Sequence, residues 1–207
     1  DMPGHMMAAI RIYPWLTCSG TPGADGSRAF SSPICPCKDS SVQFVKNILS
    51  EIFKLFPSKY VHIGGDEVEK RDWEKSALCK QFMEQHHIEN LDKLQSYFND
   101  RLLEFFHAHG KTLVGWDEIV EGGIDSSAVV MFWRPWARLS PLKATRNGNK
   151  VVMTPYGPLY FDAWPDRHSL STVYHYNPAD TIYEMNEAEQ QNVIGVQANL
   201  WSEMVPT

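Results

Sequence analysis

Residues 60–67 read Tyr60-Val61-His62-Ile63-Gly64-Gly65-Asp66-Glu67. The aromatic and β-branched residues that open this run favour a strand, and the paired glycines mark its end. Asp66 and Glu67 then follow the C-terminal end of a strand, which is where (β/α)8 barrels collect their active sites. Two adjacent acids at such a position can take separate roles in cleaving a glycosidic bond. The alternative is structural: an acidic loop in which Asp66 caps a helix that begins near Val68.

Four more apolar, β-branched runs occur at residues 112–116, 128–132, 151–154 and 193–197. Apolar residues at helical spacing fill residues 45–56, where Pro57 ends the pattern, and residues 91–105, shortly before Gly110. Strands that alternate with helices predict βα units around a parallel sheet, and the position of the two acids favours a (β/α)8 TIM-type barrel. A complete barrel has about 250 residues and eight strands. Counting a strand tail at residues 1–4, we expect a partial barrel that lacks its N-terminal strands.

Composition agrees with a globular enzyme, since the 207 residues are 43% hydrophobic and 21% charged. A formal charge of -6 and the lack of a basic stripe argue against a nucleic-acid partner. No apolar run is long enough to span a membrane. Aromatic residues make up 12% of the chain, with seven tryptophans, and flat rings of this kind stack on sugars. For Trp15 and Trp73 we instead expect ordinary core packing.

The four cysteines are Cys18, Cys35, Cys37 and Cys79. They do not read as a zinc site, because no Cys-x-x-Cys pair is present and no histidine stands at ligand spacing beside them. We therefore predict no metal and no cofactor. Cys18 and the Cys35–Cys37 segment flank a long loop at residues 21–36, so a disulfide could close this loop in an oxidising compartment. Free thiols are the alternative, and the sequence leaves both open.

The chain resembles family 20 glycoside hydrolases, the β-N-acetylhexosaminidases. The family signature His-x-Gly-Gly-Asp-Glu is matched at residues 62–67. Five further motifs follow the family's order and together span essentially the whole chain: Asp1-Met2-Pro3-Gly4-His5, Gly115-Trp116-Asp117-Glu118, Phe132-Trp133-Arg134, Tyr160-Phe161-Asp162 and Leu200-Trp201-Ser202-Glu203. The resemblance implies a retaining enzyme that releases terminal N-acetylglucosamine or N-acetylgalactosamine from a glycan or chitooligosaccharide, without a cofactor.

The resemblance also implies roles for the catalytic residues. Glu67 resembles the general acid, while the nucleophile is the substrate's own acetamido oxygen, which closes to an oxazolinium intermediate. Asp66 would accept the acetamido N–H and counter the developing positive charge. Tyr160 would donate a hydrogen bond to the acetamido oxygen.

Other positions match residues that bind the sugar or support the catalytic pair. Trp116, Trp133 and Trp201 resemble the aromatic box around the acetamido group, and Asp162 and Glu203 resemble carboxylates that bind sugar hydroxyls. Four residues are expected to support the catalytic residues without touching the substrate, through hydrogen bonds or by orienting loops: Asp1, His5, His62 and Glu118. For His62 a purely structural role in the strand is the first interpretation.

The same resemblance identifies residues 1–207 as the C-terminal portion of a catalytic barrel, from about the end of strand 3 through strand 8. The missing part would carry an arginine that grips the sugar hydroxyls, so the isolated chain could be inactive or act only as a sugar-binding module. Barrel edges left open near residues 60–64 and 193–197 predict self-association. Relatives of this kind suggest a secreted, periplasmic or lysosomal location.

Overall fold

The computed structural model describes residues 1–21, 32–162, 168–178 and 184–202. The chain divides into two compact units, Asp1–Asp125 and Ser126–Thr207. The first unit contains, in order, α1 (Met7–Ile12), a 3-10 turn (Pro14–Leu16), α2 (Asp39–Leu55), β1 (Tyr60–His62), α3 (Arg71–Lys75), α4 (Ala77–Gln85), α5 (Leu91–Ala108), β2 (Thr112–Trp116) and a second 3-10 turn (Asp117–Val120). The second unit contains β3 (Val129–Phe132), α6 (Ser140–Arg146), β4 (Lys150–Met153), α7 (Leu170–Tyr174), α8 (Glu187–Gln190) and β5 (Val193–Val196).

In the first unit β1 and β2 run parallel, with Tyr60 opposite Thr112 and His62 opposite Val114. Helix α5 packs against β2 and against the 3-10 turn that follows it. Its buried face repeats every four residues, as an amphipathic helix requires. That face consists of Leu94, Phe98, Leu102 and Phe106, each wholly buried. The helix predicted from the stripe at residues 91–105 is therefore confirmed, and α2 confirms the stripe at residues 45–56.

All four cysteines are joined in disulfides, Cys18 to Cys35 and Cys37 to Cys79. The first bond closes the loop that the sequence suggested, and the second ties this segment to α4. The two bonds belong to one apolar cluster that also holds Trp73. Trp73 is wholly buried and donates its indole N–H to the Ile34 carbonyl at 3.0 Å, as expected of a core tryptophan.

Trp15 is not a core residue, and this prediction is wrong. Its side chain is 43% exposed and meets Phe44 of α2 edge-on, with ring centroids 5.8 Å apart. Trp15 lies in the short turn after α1, so its ring covers the outer surface of α2. A single tryptophan carries no periodic pattern that would distinguish such a position from a buried one.

In the second unit β3, β4 and β5 are parallel, and β4 lies between the other two. The pairing of β4 with β5 shifts between Val151 and Val152. Beyond the strand ends, Tyr160 forms a parallel bridge with Asn199, and the Asn199 side chain donates to the Thr154 hydroxyl at 2.7 Å. Helix α6 packs on β3 and β4.

The five predicted strands are confirmed, each to within about two residues, and β1 with β2, β3 with β4 and β4 with β5 all pair in parallel. Helices separate these strands except between β2 and β3, where only a 3-10 turn intervenes, and the predicted α/β class of a partial (β/α)8 barrel is confirmed. Residues 1–5 contain no strand, and residues 3–5 form a bend, so the expected strand tail at residues 1–4 is absent, although the Met2 N–H donates to the Ile63 carbonyl beside β1 at 2.7 Å. Among the described residues, no helix combines the length and apolar character that crossing a membrane requires.

Candidate active site

The loop after β1 adopts a backbone that only certain residues tolerate. Gly64 and Gly65 have φ of 87° and 95°, the left-handed region that glycine occupies without strain. A Cβ atom at Gly64 would overlap the Asp1 carboxylate, so glycine is also required by space. Glu67 has φ of 45°, which is uncommon for a residue with a side chain and is one of the strained conformations that cluster at active sites. Helix α3 begins only at Arg71, with Lys70 at its N-cap. The alternative interpretation of Asp66 as a helix cap is therefore wrong.

His5 connects the two carboxylates. Its Nε2 lies 3.2 Å from Asp66 Oδ2 and 3.7 Å from Glu67 Oε2. The side chains of His5 and Asp66 are each 16% exposed, whereas that of Glu67 is 46% exposed. The second Asp66 oxygen, Oδ1, is buried and has no hydrogen-bond partner within the described part of the chain. Asp66 is thus fixed through one oxygen and able to accept through the other.

Asp1 also lies close to this pair. One atom from each of Asp1, His5 and Asp66 falls within 4.8 Å of the others, so these three residues could hold a cation. Cys18, Cys35 and Cys79 meet the same distance condition, but their sulfurs are used in disulfides. The predicted absence of a metal stays a prediction.

The hydrogen bond to Asp66 raises the pKa of His5 above its ordinary 6.5. Partial burial opposes this increase, and the negative charges of Asp66 and Glu67 add to it. The protonated form of His5 is therefore favoured in the folded protein. Because the folded pKa exceeds the unfolded one, this contact stabilises the fold fully below about pH 6.5. The contribution is lost as the pH rises through the folded pKa.

We expect an NMR titration of the His5 ring to give a pKa above 6.5 and Asp66→Asn to lower it, because the substitution removes the principal hydrogen-bonding charge. Asp39→Asn is a matched control, since Asp39 is 90% exposed and paired with Arg101. That control should leave the His5 pKa unchanged. A His5 pKa at or below 6.5 in the unmodified protein would contradict the ion pair.

His62 has a structural task inside the loop, in agreement with the first interpretation. Its Nδ1 accepts the Gly64 N–H at 2.9 Å, so the ring proton resides on Nε2. Loss of solvation around the ring lowers the pKa of His62 to about 4, although the residue as a whole is exposed. The ring packs on Trp116, with centroids 4.7 Å apart. Trp116 is 7% exposed, and Glu118, two residues further on, is also buried.

The second unit carries a separate aromatic cluster. Trp133 stacks on Tyr160 with centroids 6.4 Å apart and meets Trp136 edge-on at 5.2 Å. Tyr156 meets Tyr160 edge-on at 5.1 Å and lies beside Trp136. Sequence reasoning found Trp133 and Tyr160 but missed Trp136 and Tyr156. The spacing Trp-x-x-Trp at residues 133–136 was the available signal for the first of these.

The remaining predicted residues differ in their surroundings. Asp162 has a buried Oδ1 without a hydrogen-bond partner in the described residues, so it can accept from a ligand. Trp201 is 38% exposed. Glu203 lies outside the residues that the structure describes. Within the first unit the structure brings together Asp1, His5, His62, Asp66, Glu67 and Trp116, and within the second unit it brings together Trp133 and Tyr160.

Comparisons with known proteins agree on one family. The model of the glycosyl hydrolase family 20 catalytic domain matches residues 1–207. A β-hexosaminidase of Porphyromonas gingivalis is 36% identical over 228 residues, covering 100% of this chain and 28% of that protein. The human β-hexosaminidase subunit beta is 27% identical and is covered over 37% of its length. The chain thus spans about a third of these relatives.

Solved structures give the same result at the level of the fold. The family 20 exo-β-N-acetylglucosaminidase of Vibrio harveyi, solved in complex with N-acetylglucosamine, superposes with a TM-score of 0.82 at 29% identity. The match covers 100% of this chain and 34% of that one. Chitobiase of Flavobacterium johnsoniae superposes with a TM-score of 0.84 at 29% identity, covering 98% of this chain and 31% of that one. Sequence, fold and the arrangement around Asp66 and Glu67 therefore lead to one conclusion: this chain belongs to the catalytic domain of glycosyl hydrolase family 20.

Proposed function

We propose that the protein containing this chain is an exo-β-N-acetylhexosaminidase, which releases terminal N-acetylglucosamine or N-acetylgalactosamine with retention of configuration. The reaction proceeds by substrate assistance. Glu67 donates its proton to the glycosidic oxygen while the acetamido carbonyl oxygen attacks the anomeric carbon, so the leaving group departs and an oxazolinium ring forms. Water then attacks the anomeric carbon, Glu67 takes the water's proton, and the ring reopens to the sugar.

The observation that carries this proposal is the unequal environment of the two Asp66 oxygens. Oδ2 lies 3.2 Å from the His5 Nε2, whereas Oδ1 is buried without a partner in the described part of the chain. A buried acceptor of this kind is costly unless a ligand satisfies it. An acetamido N–H would do so, and the carboxylate would then hold the amide in the orientation that attack requires. Intramolecular alignment of this type reaches effective molarities of about 10⁵ M or more.

Glu67 suits the task of the general acid for a different reason. Its side chain is 46% exposed, so it can exchange protons with water and face an incoming leaving group. His5 lies near both carboxylates and is positively charged over a wider pH range than an ordinary histidine.

Further roles are proposed from the family resemblance. Tyr160 would donate to the acetamido oxygen, and Trp116, Trp133 and Trp201 would enclose the acetamido methyl. Support comes from the low exposure of Trp116 at 7% and Tyr160 at 8%, and from the stacking of Trp133 on Tyr160. The partnerless oxygen of Asp162 supports a role in binding sugar hydroxyls, a role also proposed for Glu203.

The test is an assay of a chromogenic N-acetylglucosaminide with the 207-residue chain and with the full-length protein. We expect turnover by the full-length protein. Binding of N-acetylglucosamine without turnover in both would favour the second candidate function, a non-catalytic sugar-binding module. If the protein shows neither binding nor turnover, both candidate functions are refuted.

The two disulfides support a location in an oxidising compartment, which we propose to be the cell exterior, the periplasm or the lysosome. In such a compartment both bonds persist: Cys18–Cys35 closes the loop before α2, and Cys37–Cys79 holds the segment before α2 against α4. A thiol count on protein purified under non-reducing conditions tests this, because no titratable thiol is expected.

We expect the isolated 207-residue chain to self-associate at micromolar concentration. Apolar side chains on the first and last strands are open to solvent: Tyr60 is 55% exposed, Ile194 53% and Val196 52%. Exposed strands of this type pair with other chains unless charges protect them. Light scattering should therefore show an average mass that rises with concentration.

The double variant Ile194→Lys, Val196→Lys is expected to shift the chain toward the monomer. Leu170→Lys is the matched control, because Leu170 is 89% exposed but lies on α7. A concentration-independent monomer for the unmodified chain would refute the prediction, as would an equal response of both variants.

A further inference from the structure

The carbonyls that precede Asp66 are each held by one hydrogen bond. The Met2 N–H donates to the Ile63 carbonyl at 2.7 Å, and the Trp116 N–H donates to the Gly64 carbonyl at 2.8 Å. The Gly65 carbonyl accepts from the side-chain Nε2 of Gln95 at 2.7 Å. The first two donors belong to the backbone, and only the third depends on a side chain.

Gln95 reaches the loop from the buried face of α5. Its residue is 4% exposed, so its amide would be costly to bury without a partner. On another side of Gly65, the Ile119 side chain occupies the space into which a Cβ atom would project. The Gly65 peptide is therefore held between an apolar contact and a hydrogen bond, immediately before the two carboxylates.

This loop needs such a restraint because its backbone is unfavourable by itself. Glu67 has φ of 45°, a left-handed conformation that is unfavourable for a residue with a Cβ atom. A strained conformation persists only when surrounding contacts hold it. Loss of the Gly65 contact would let the peptide rotate and carry the next two side chains with it.

We propose that Gln95 is a positioning residue, whose side-chain amide fixes the Gly65 peptide and thereby the orientation of Asp66 and Glu67. The role rests on the proposed function of these two carboxylates. Gln95 touches no reacting atom and acts through the loop alone. Its loss should impair turnover much more than sugar binding, because near-attack geometry is sensitive to displacements of about 1 Å.

The test compares Gln95→Met, which keeps the length of the side chain and removes the donor, with Asn99→Leu in the full-length protein. Asn99 is one turn further along α5, wholly buried, and neither of its side-chain polar atoms has a partner in the described residues. Gln95→Met is expected to lower kcat by about 10- to 100-fold with little change in KM or in the Kd of N-acetylglucosamine. Asn99→Leu should leave all three unchanged.

Amide hydrogen exchange gives a readout that does not depend on activity. The Gly64 N–H, which donates to His62 Nδ1, and the Trp116 N–H, which donates to the Gly64 carbonyl, should exchange faster in Gln95→Met and remain protected in Asn99→Leu. If Gln95→Met does not fold, Gln95→Leu replaces it, and Tm is measured for every variant. Equal kcat losses in the two variants, or unchanged exchange in the loop, would overturn the proposal. An unmodified protein that releases no sugar would refute the proposed function and this catalytic role together, while exchange would still decide the loop contact.

Discussion

Replacing Glu67 with glutamine in the full-length protein is expected to lower kcat by about 10²- to 10⁴-fold on substrates with poor leaving groups, the range that a positioned general acid contributes. Glutamine keeps the size and polarity of the side chain but has no proton to transfer to the glycosidic oxygen. The Kd of N-acetylglucosamine should change little, because Glu67 is 46% exposed and its removal leaves no buried partner unsatisfied. The loss should shrink on substrates whose leaving groups depart without protonation.

The matched control is Glu69→Gln, two residues along the same segment. Glu69 pairs with Arg71 at 2.8 Å on the surface, so its replacement should leave kcat unchanged. Steady-state kinetics on a series of aryl N-acetylglucosaminides measures both effects. Near-normal rates for Glu67→Gln on the poorest leaving groups would mean that another residue supplies the proton.

Local sequence patterns were sufficient to predict the main helices and strands and the two acids at the centre of the candidate site. The stripe on α5 and the β-branched runs indicate burial, because a packed helix face imposes a helical period and a strand buried on both faces favours a continuous apolar run. Asp66 and Glu67 were found for a similar reason, since a strand that ends in two glycines fixes where the next side chains emerge. Their proximity to His5 was expected from the family resemblance and not from a local pattern, because His5 lies 61 residues before Asp66.

The sequence was less informative wherever contacts between distant residues determine the burial or the partner of a side chain. Trp15 and Trp73 are the same residue type with no period around them, and only the packing distinguishes the exposed ring from the buried one. Gln95 lies within an ordinary helical pattern, and nothing local indicates that its amide reaches the Gly65 carbonyl 30 residues earlier. The left-handed backbone of Glu67 also could not be predicted, because glutamate is not among the residues enriched at positive φ.

The roles proposed for the two acids follow from their surroundings more than from their chemical type. Both are carboxylates and adjacent in sequence, yet Asp66 is 16% exposed and bound to His5, while Glu67 is 46% exposed. A carboxylate held through one oxygen is suited to accept a hydrogen bond with the other. A group that faces solvent is suited to exchange its proton during each turnover. Swapping the two residue types should therefore not swap their functions.

A thiazoline analogue of the cyclised N-acetylglucosamine intermediate is expected to inhibit the full-length protein at least about 10²-fold more strongly than N-acetylglucosamine does, as ligands that resemble a transition state usually do. The reason lies in Asp66. Its buried, partnerless Oδ1 would accept the N–H of the protonated ring, and its negative charge would balance the positive charge that the ring carries. The product sugar has a neutral acetamide and gains only the hydrogen bond.

Asp66→Asn should therefore reduce the affinity for the thiazoline much more than the affinity for N-acetylglucosamine. An asparagine can still offer its carbonyl oxygen to an N–H, but it supplies no charge, so the difference between the two inhibitors isolates the electrostatic part. Asp39→Asn, which removes a charge from the exposed pair with Arg101, is the control and should affect neither inhibitor. Inhibition constants measured for both ligands on the three proteins give the comparison. Equal loss for the two ligands would refute a charge-balancing role for Asp66, and a covalent sugar ester trapped on any carboxylate would exclude substrate assistance, because the acetamido oxygen and an enzyme nucleophile cannot both attack the same anomeric carbon.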